Sequence, residues 1–156
     1  ERLVGSEMCI RDSTTARVFT KVWEMAAFAG FLSGREAARH MKKRNRGSIF
    51  FTGATASVRG GSGFAAFSSA KFALRSLSQS MARELGPQGI HVAHFIIDGA
   101  IDTAFIKENF PDIYALKEKD GILQPNAIAD AYWFVHTQEK NAWTHELDLR
   151  PYMEKF

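Results

Sequence analysis

The sequence predicts an α/β fold in which a parallel β-sheet is covered by helices. Short, continuously apolar segments alternate along the chain with longer segments whose apolar residues recur every three or four positions. Continuously apolar strands are typical of parallel sheets that are buried on both faces. Strands that are joined through helices form right-handed crossovers between parallel neighbours, which makes this order of elements diagnostic of the class.

Three amphipathic helices are predicted from the spacing of apolar residues. The first covers residues 16–43, and the second covers about Ala65–Leu85 and ends at the Gly- and Pro-containing residues 86–89. The third begins near Pro125 and continues to about Val135. Each helix carries one apolar stripe, so each is expected to pack against the sheet.

The strand pattern predicts a small sheet that lacks part of its fold. Residues 48–52, Ile90–Ile97 and Glu146–Leu149 are the three predicted strands. A parallel sheet of three strands leaves edges and faces uncovered, so we expect further strands on the N-terminal side to be missing. Residues 98–121 show a mixed pattern with short helical pieces, which is typical of a lid or substrate loop.

The first 13 residues differ from the rest of the chain. Residues 3–13 read LVGSEMCIRDS, show no apolar period, and can be encoded in frame by a widely used transposon-based sequencing adapter. Eleven consecutive residues match this one oligonucleotide. We therefore interpret residues 1–13 as a fusion scar and expect the native sequence to start near Thr14.

Composition excludes several classes of protein. With 156 residues, 46% hydrophobic and 24% charged, the chain is long enough for one globular domain with a core. No apolar run reaches the roughly 20 residues of a membrane helix, and no secretory signal is visible, so we expect a cytoplasmic protein without a membrane partner. Its one cysteine, Cys9, and its five histidines lack metal-ligand spacing, so no metal site is expected.

The chain is weakly basic, with a formal charge of +3. Its densest basic run is Lys42, Lys43, Arg44 and Arg46, at the predicted end of the first helix. Cations complement the negative end of a helix dipole, so we favour a solvated helix terminus over a polyanion site. A nucleic-acid partner is therefore not expected.

Four motifs in a fixed order carry a family resemblance. GSIFFTGA at residues 47–54 precedes GGSGFAAFSSAK at 60–71, LSQSMARELGPQGIHV follows at 77–92, and DGAIDT stands at 98–103. This order resembles the short-chain dehydrogenases/reductases, which read G-x-I-x-x-x-S-S, then Y-S-A-S-K, then LARELGPxGIxV, then P-G-x-[IV]-x-T. The resemblance covers nearly all of residues 14–151.

The resemblance implies a Rossmann-type, doubly wound fold that binds NAD or NADP, and it identifies residues 14–156 as the C-terminal half. Family members begin with a T-G-x-x-x-G-x-G loop, whose glycines let the backbone approach the dinucleotide pyrophosphate. That loop and the family's N-N-A-G strand are not found in this sequence. We therefore expect this chain alone to bind a dinucleotide poorly and to be inactive.

The resemblance also implies that most of the usual catalytic side chains are replaced. The family tyrosine, which passes a proton to the substrate oxygen, falls at Phe67, and the lysine that holds the ribose falls four residues later at Lys71. The family serine falls at Ala54, and the asparagine that anchors a relay water falls near Ala26. Lys71 is the one member of the four that is kept.

Further positions follow from the same alignment of motifs. Ile101 matches a main-chain contact and Thr103 a side-chain contact to the nicotinamide carboxamide, although a threonine after a strand is also commonly a helix cap. Thr55 or Ser57 could act on a substrate in place of the lost serine, but loop hydroxyls more often form turns. Asp98 stands where the family has proline.

Two functions remain open at this point. The family implies an oxidoreductase that acts on a small alcohol or carbonyl substrate, whereas the lost tyrosine favours a catalytically silent cofactor-binding or scaffold subunit. Family members pair through their two long helices and their last strand. We therefore expect a homodimer or homotetramer formed by residues 16–43 and 65–85, together with the C-terminal segment 147–156.

Overall fold

The computed structural model describes residues 14–154. The proposed fusion scar and the last two residues of the C-terminal contact segment lie outside this range. The described elements, in chain order, are α1 (Ala16–Trp23), a π-helical segment (Glu24–Phe28), α2 (Ala29–Lys42), β1 (Gly47–Thr52), a 3₁₀ turn (Thr55–Ser57), α3 (Ala65–Leu85), a 3₁₀ turn (Gly86–Gln88), β2 (Ile90–Ile97), α4 (Ala104–Asn109), α5 (Pro111–Tyr114), a 3₁₀ segment (Ala115–Lys119), α6 (Pro125–His136), a 3₁₀ turn (Lys140–Ala142) and β3 (Glu146–Leu149).

The sheet confirms the predicted class. Its strand order is β1-β2-β3, and both pairs are parallel. Gly47 is paired with Ile90 at the start of β1, and His94 is paired with Glu146 at the start of β3. The helices α3 and α6 supply the two crossovers, as the alternating pattern predicts.

The first long helix is continuous but not uniform. α1, the π-helical segment and α2 follow one another without a break, so the predicted helix over residues 16–43 is confirmed to within one residue. Two glycines allow it to pack closely on its neighbours. A Cβ at Gly30 would lie 2.5 Å from Leu74, and one at Gly34 would lie 2.9 Å from the Phe51 ring.

The core has one layer on each face of the sheet. On one face, Ile49, Phe51 and Val92 pack with Leu74 and Leu85 of α3. On the other face, apolar residues of β2 pack under α6 and the loop that follows β2; they are Ala93, Phe95 and Ile97, with Leu123 and Val135. All eight residues of β2 are buried, because this central strand is covered on both faces.

Residues 98–123 form a loop with short helices after the carboxyl end of β2. Ile101 forms an isolated parallel bridge with Leu123, and the Lys117 ammonium lies 2.8 Å from the Asp102 carboxylate. The short helical pieces predicted in this segment are present as α4, α5 and a 3₁₀ segment. Within the described part of the chain, no helix has the length and apolar content needed to cross a membrane.

Candidate active site around Lys71

Lys71 lies at the carboxyl end of β1. Its Nζ donates a hydrogen bond of 2.9 Å to the carbonyl oxygen of Thr52, the last residue of the strand. The same ammonium lies 5.6 Å from the centre of the Phe67 ring, one helical turn earlier on α3. Burial lowers the pKa of Lys71. The helix α3 thus places Phe67 and Lys71 together at the carboxyl ends of the strands, where ligands of parallel α/β folds bind.

Ala26 faces the same groove as Lys71. The two residues line a cavity of about 450 Å³ between the first long helix and the edge strand β1, together with Gly30 and Phe51. Ala26 lies in the π-helical segment, an irregularity that often marks functional positions in helices. Its methyl group cannot hold a water molecule by a hydrogen bond. The structure therefore places Ala26 and Lys71 on one cavity and Phe67 beside Lys71, three of the four positions that the sequence motifs single out.

The fourth position, Ala54, starts the turn that follows β1. Its backbone N–H donates to Ser57 Oγ over 3.1 Å. Ser57 is 0% exposed, so its hydroxyl serves this turn and is closed to a substrate. Ser57 thus has the turn-forming role that is common for loop hydroxyls.

Thr55 has a different environment from Ser57. It is partly exposed, and its hydroxyl donates to the carboxylate of Asp98 at the end of β2. Asp98 is 3% exposed, and its second oxygen lies 3.2 Å from Arg150 Nη2. A chain of polar contacts therefore links the carboxyl ends of all three strands. The sequence signal for it was the replacement of the family proline by Asp98, but the partner residues could not be read from the sequence.

Thr103 and Ile101 lie on the loop that follows β2. The Thr103 hydroxyl oxygen accepts a hydrogen bond of 3.3 Å from the N–H of Ile106, so Thr103 caps α4. Ile101 is partly buried and is held by its bridge to Leu123. Thr103 thus has the helix-capping role that is common for a threonine after a strand.

A partly buried polar network lies next to the turn at Ala54. His94 Nδ1 lies 3.0 Å from Glu146 Oε2, and Arg75 donates two hydrogen bonds of 2.7 and 2.6 Å to the same carboxylate. Burial alone would raise the pKa of Glu146, but the hydrogen bonds from Arg75 and His94 outweigh it and lower the pKa. His94 is 0% exposed, and its Nε2 has no partner in the described structure.

Gly53 is the close neighbour of this network. A Cβ at Gly53 would lie 2.3 Å from His94 Nε2 and 2.6 Å from Ser57 Oγ, so only glycine fits between the two side chains. Sequence reasoning missed this network, since its members come from α3, β2 and β3. Among residues 14–154, no group of three His, Cys, Asp or Glu side chains is placed to hold a metal ion.

Comparison with known proteins agrees with the fold. The family model for short chain dehydrogenase matches residues 5–113. The chain therefore belongs to the short-chain dehydrogenase family.

Individual relatives show how far the similarity reaches. The chain is 30% identical over 118 residues to a (21S)-21-acetoxyl-apo-melianone synthase from Melia azedarach, covering 70% of this chain and 43% of that protein. A crystal structure of a short-chain dehydrogenase from Rhodopseudomonas palustris is 52% identical with a TM-score of 0.74, covering 96% of this chain and 58% of that one. A 4-hydroxyisoleucine dehydrogenase complexed with NADH shares the fold at 20% identity and a TM-score of 0.76, covering 96% of this chain and 65% of that one. The chain thus spans about half the length of such relatives.

Proposed function

We propose that the protein carrying this chain uses NAD or NADP to interconvert a small alcohol and its carbonyl compound, and that residues 14–156 form the C-terminal half of its dinucleotide-binding domain. The observation that carries the proposal is the position of Lys71. Its ammonium is held at the carboxyl end of β1 by the Thr52 carbonyl, beside Phe67 and in the groove that Ala26 lines. Family membership supports the same reaction class.

The residues around Lys71 fit a dinucleotide on its ribose side. An ammonium group has three N–H donors, and the Thr52 carbonyl accepts one, so two donors are left for ribose hydroxyls. When bound, the dinucleotide supplies or accepts the hydride. The sequence contains no T-G-x-x-x-G-x-G loop to hold the pyrophosphate, so we assign that contact to an upstream half of the domain.

The residues available for proton transfer differ from those of the family motif. Phe67 has no O–H group, and Ala54 offers the substrate no hydrogen bond. The neighbouring Thr55 hydroxyl is partly exposed, and we propose that it contacts the substrate oxygen. Because Thr55 donates its own proton to Asp98, its oxygen is left to accept a hydrogen bond, which an alcohol can donate and a ketone cannot. The site is thereby suited to bind the alcohol, whose hydroxyl proton would pass through the Thr55 hydroxyl to the Asp98 carboxylate.

The test is hydride transfer in the complete protein, followed at 340 nm with NAD⁺ and NADP⁺ and a panel of small alcohols. We expect slow, cofactor-dependent turnover that rises at least about tenfold in the Phe67→Tyr, Ala54→Ser double variant, because general acid–base groups contribute such factors. Thr55→Val should remove the turnover of the original protein, whereas the isosteric Thr20→Val on the exposed surface of α1 should not. Cofactor binding without turnover, in the original protein and in the double variant, would instead support a silent scaffold subunit.

The exposed apolar surface of the first long helix supports a homo-oligomer. Large side chains on α1, the π-helical segment and α2 keep about two fifths or more of their surface exposed; they are Phe19 (41%), Trp23 (40%), Met25 (63%), Phe28 (43%) and Phe31 (38%). An apolar surface of this kind is typical of an interface. We propose that it contacts a second copy, and light scattering of Phe28→Glu against the original protein tests this: the variant should have a lower mass.

The proposed fusion scar has its own test. Amplifying and sequencing the source locus across the codon for Thr14 should give an upstream sequence with a glycine-rich loop in place of LVGSEMCIRDS. An unbroken genomic reading of those eleven residues would contradict both the scar and the proposed upstream half.

A further inference from the structure

A second cavity lies at the opposite end of the sheet from Lys71. The turns that lead into β1, β2 and β3 enclose about 450 Å³, and the cavity is lined by Arg44, Arg46, His91, Lys140 and Trp143 among others. Lys71 contacts the last residue of β1, whereas this cavity lies beside its first residues. The two sites are therefore separated by the length of the strand.

The cavity concentrates positive charge. Arg44, Arg46 and Lys140 line it, and none of the described residues that line it is acidic. Within the 14–154 range, none of these three cations belongs to an ion pair, unlike the neighbouring Lys42, which pairs with Glu84. Three cations that face one cavity repel one another, and an anion bound among them would relieve that repulsion.

His91 provides an independent observation that points to a ligand. It is 3% exposed, its Nε2 bonds to the Thr144 carbonyl over 2.8 Å, and its ring stacks on Trp143 at 4.6 Å. Since Nε2 donates to that carbonyl, Nδ1 carries a lone pair, and it has no partner in the described structure. A buried acceptor without a donor is costly, so a ligand that brings an O–H group would complete it.

The backbone at Gly89 leaves room for Lys140 to lie close to the turn before β2. Gly89 has φ +74°, a conformation that favours glycine, and a Cβ there would lie 2.6 Å from the Asn45 carbonyl oxygen and 3.3 Å from Lys140 Nζ. Asn45 itself has φ +50°. The turns before β1 and β2 therefore meet in contact, and the Lys140 ammonium lies beside them.

We propose that this cavity binds a small phosphate-bearing anion, with the three cations contacting its charged oxygens and His91 Nδ1 accepting its O–H group. A phosphate monoanion carries both the negative charge and the O–H donor that the cavity lacks. The cavity is larger than an inorganic phosphate ion and lies in the size range of small-ligand pockets, so it has room for the organic part of a phosphomonoester. The site is independent of the hydride-transfer reaction proposed for Lys71.

The test is calorimetric titration of the complete protein with inorganic phosphate and with glycerol 3-phosphate, at about 0.15 M salt so that exposed charges are screened. We expect saturable binding that is weakened at least about tenfold in the Arg46→Gln, Lys140→Gln double variant. A matched double variant, Lys43→Gln with Lys119→Gln, removes two exposed cations outside the cavity and should bind as the original does. His91→Phe keeps the stacked ring, loses Nδ1, and should also weaken binding.

Each outcome decides the proposal. Tighter binding of glycerol 3-phosphate than of phosphate identifies a phosphomonoester ligand, and equal binding identifies free phosphate. Absence of saturable binding to either probe would overturn the proposal, as would equal losses in the two double variants, which would show a general charge effect. Binding of DNA with loss in both double variants would also overturn it, because a diffuse basic surface would then explain the affinity.

Discussion

The Arg75–Glu146 pair offers the sharpest test of how the site is supported. Glu146→Gln keeps the size of the side chain but removes the negative charge that Arg75 and His94 both contact. Arg75 donates two hydrogen bonds to this carboxylate, and His94 donates a third from Nδ1. A glutamine offers one acceptor oxygen, and its NH₂ group faces one of these donors.

The expected loss follows from the burial of the pair. Breaking a fully buried ion pair costs about 3–5 kcal/mol, because one charge is left without a partner. The Arg75 and Glu146 side chains keep 29% and 25% of their surface exposed, so solvent reaches both groups and reduces this figure. We therefore predict a loss of about 2 kcal/mol in the free energy of unfolding. For a domain of this size class, that corresponds to a fall in Tm of about 4–8 °C.

The assay is urea denaturation of the complete protein, followed by circular dichroism, with Glu36→Gln as the matched control. Glu36 also contacts an arginine, Arg39, at 2.9 Å, but on an open helix surface. The control should therefore change the denaturation midpoint far less than Glu146→Gln. Equal midpoints for Glu146→Gln and the original protein would show that the network contributes nothing to the stability of the fold.

Two further predictions concern the same region. Gly53→Ala should lower Tm, because the added methyl would overlap His94 Nε2 and Ser57 Oγ, and overpacking of this kind costs about 1–3 kcal/mol; a thermal melt that matches the original would contradict it. Stability should fall as the pH drops below about 6.5, because burial, opposed by the Glu146 hydrogen bond, lowers the pKa of His94, so the unfolded chain takes up the proton first. It should fall again below about 4.5, where the contribution of the lowered Glu146 pKa is lost. Urea midpoints that stay constant from about pH 8 to about pH 5 would contradict the assignment of a neutral, buried His94.

The sheet and its helices could be predicted because their signals are local. Ile90–Ile97 is continuously apolar and becomes the fully buried central strand, and Ala65–Leu85 ends where the glycines and proline of residues 86–89 begin. The π-helical segment within the first long helix, which packs against α3, could not be predicted. Apolar spacing alone does not distinguish an α-helical turn from a wider one.

The candidate site was predictable only in part, for a similar reason. Phe67 and Lys71 lie four residues apart on one helix, so their proximity follows from helix geometry. Thr55 and Asp98 belong to different strand ends, and Arg75 and Glu146 are separated by 71 residues. Contacts between residues so far apart in the sequence depend on strand order and register, which the sequence pattern does not specify. The sequence favours a solvated helix end for the basic run at residues 42–46, because the turns that bring Arg44 and Arg46 to one cavity with Lys140 and His91 are distant in sequence.

In the proposed function, Lys71 holds the ribose of a nicotinamide dinucleotide in the complete protein. Its most direct test is calorimetric titration with NADH and NADPH, comparing Lys71→Met with Lys43→Met, which removes an exposed lysine at the end of α2. We expect saturable binding of at least one dinucleotide, weakened at least about tenfold by Lys71→Met and unchanged by Lys43→Met. Failure of both dinucleotides to bind, or equal affinity in the two variants, would contradict it.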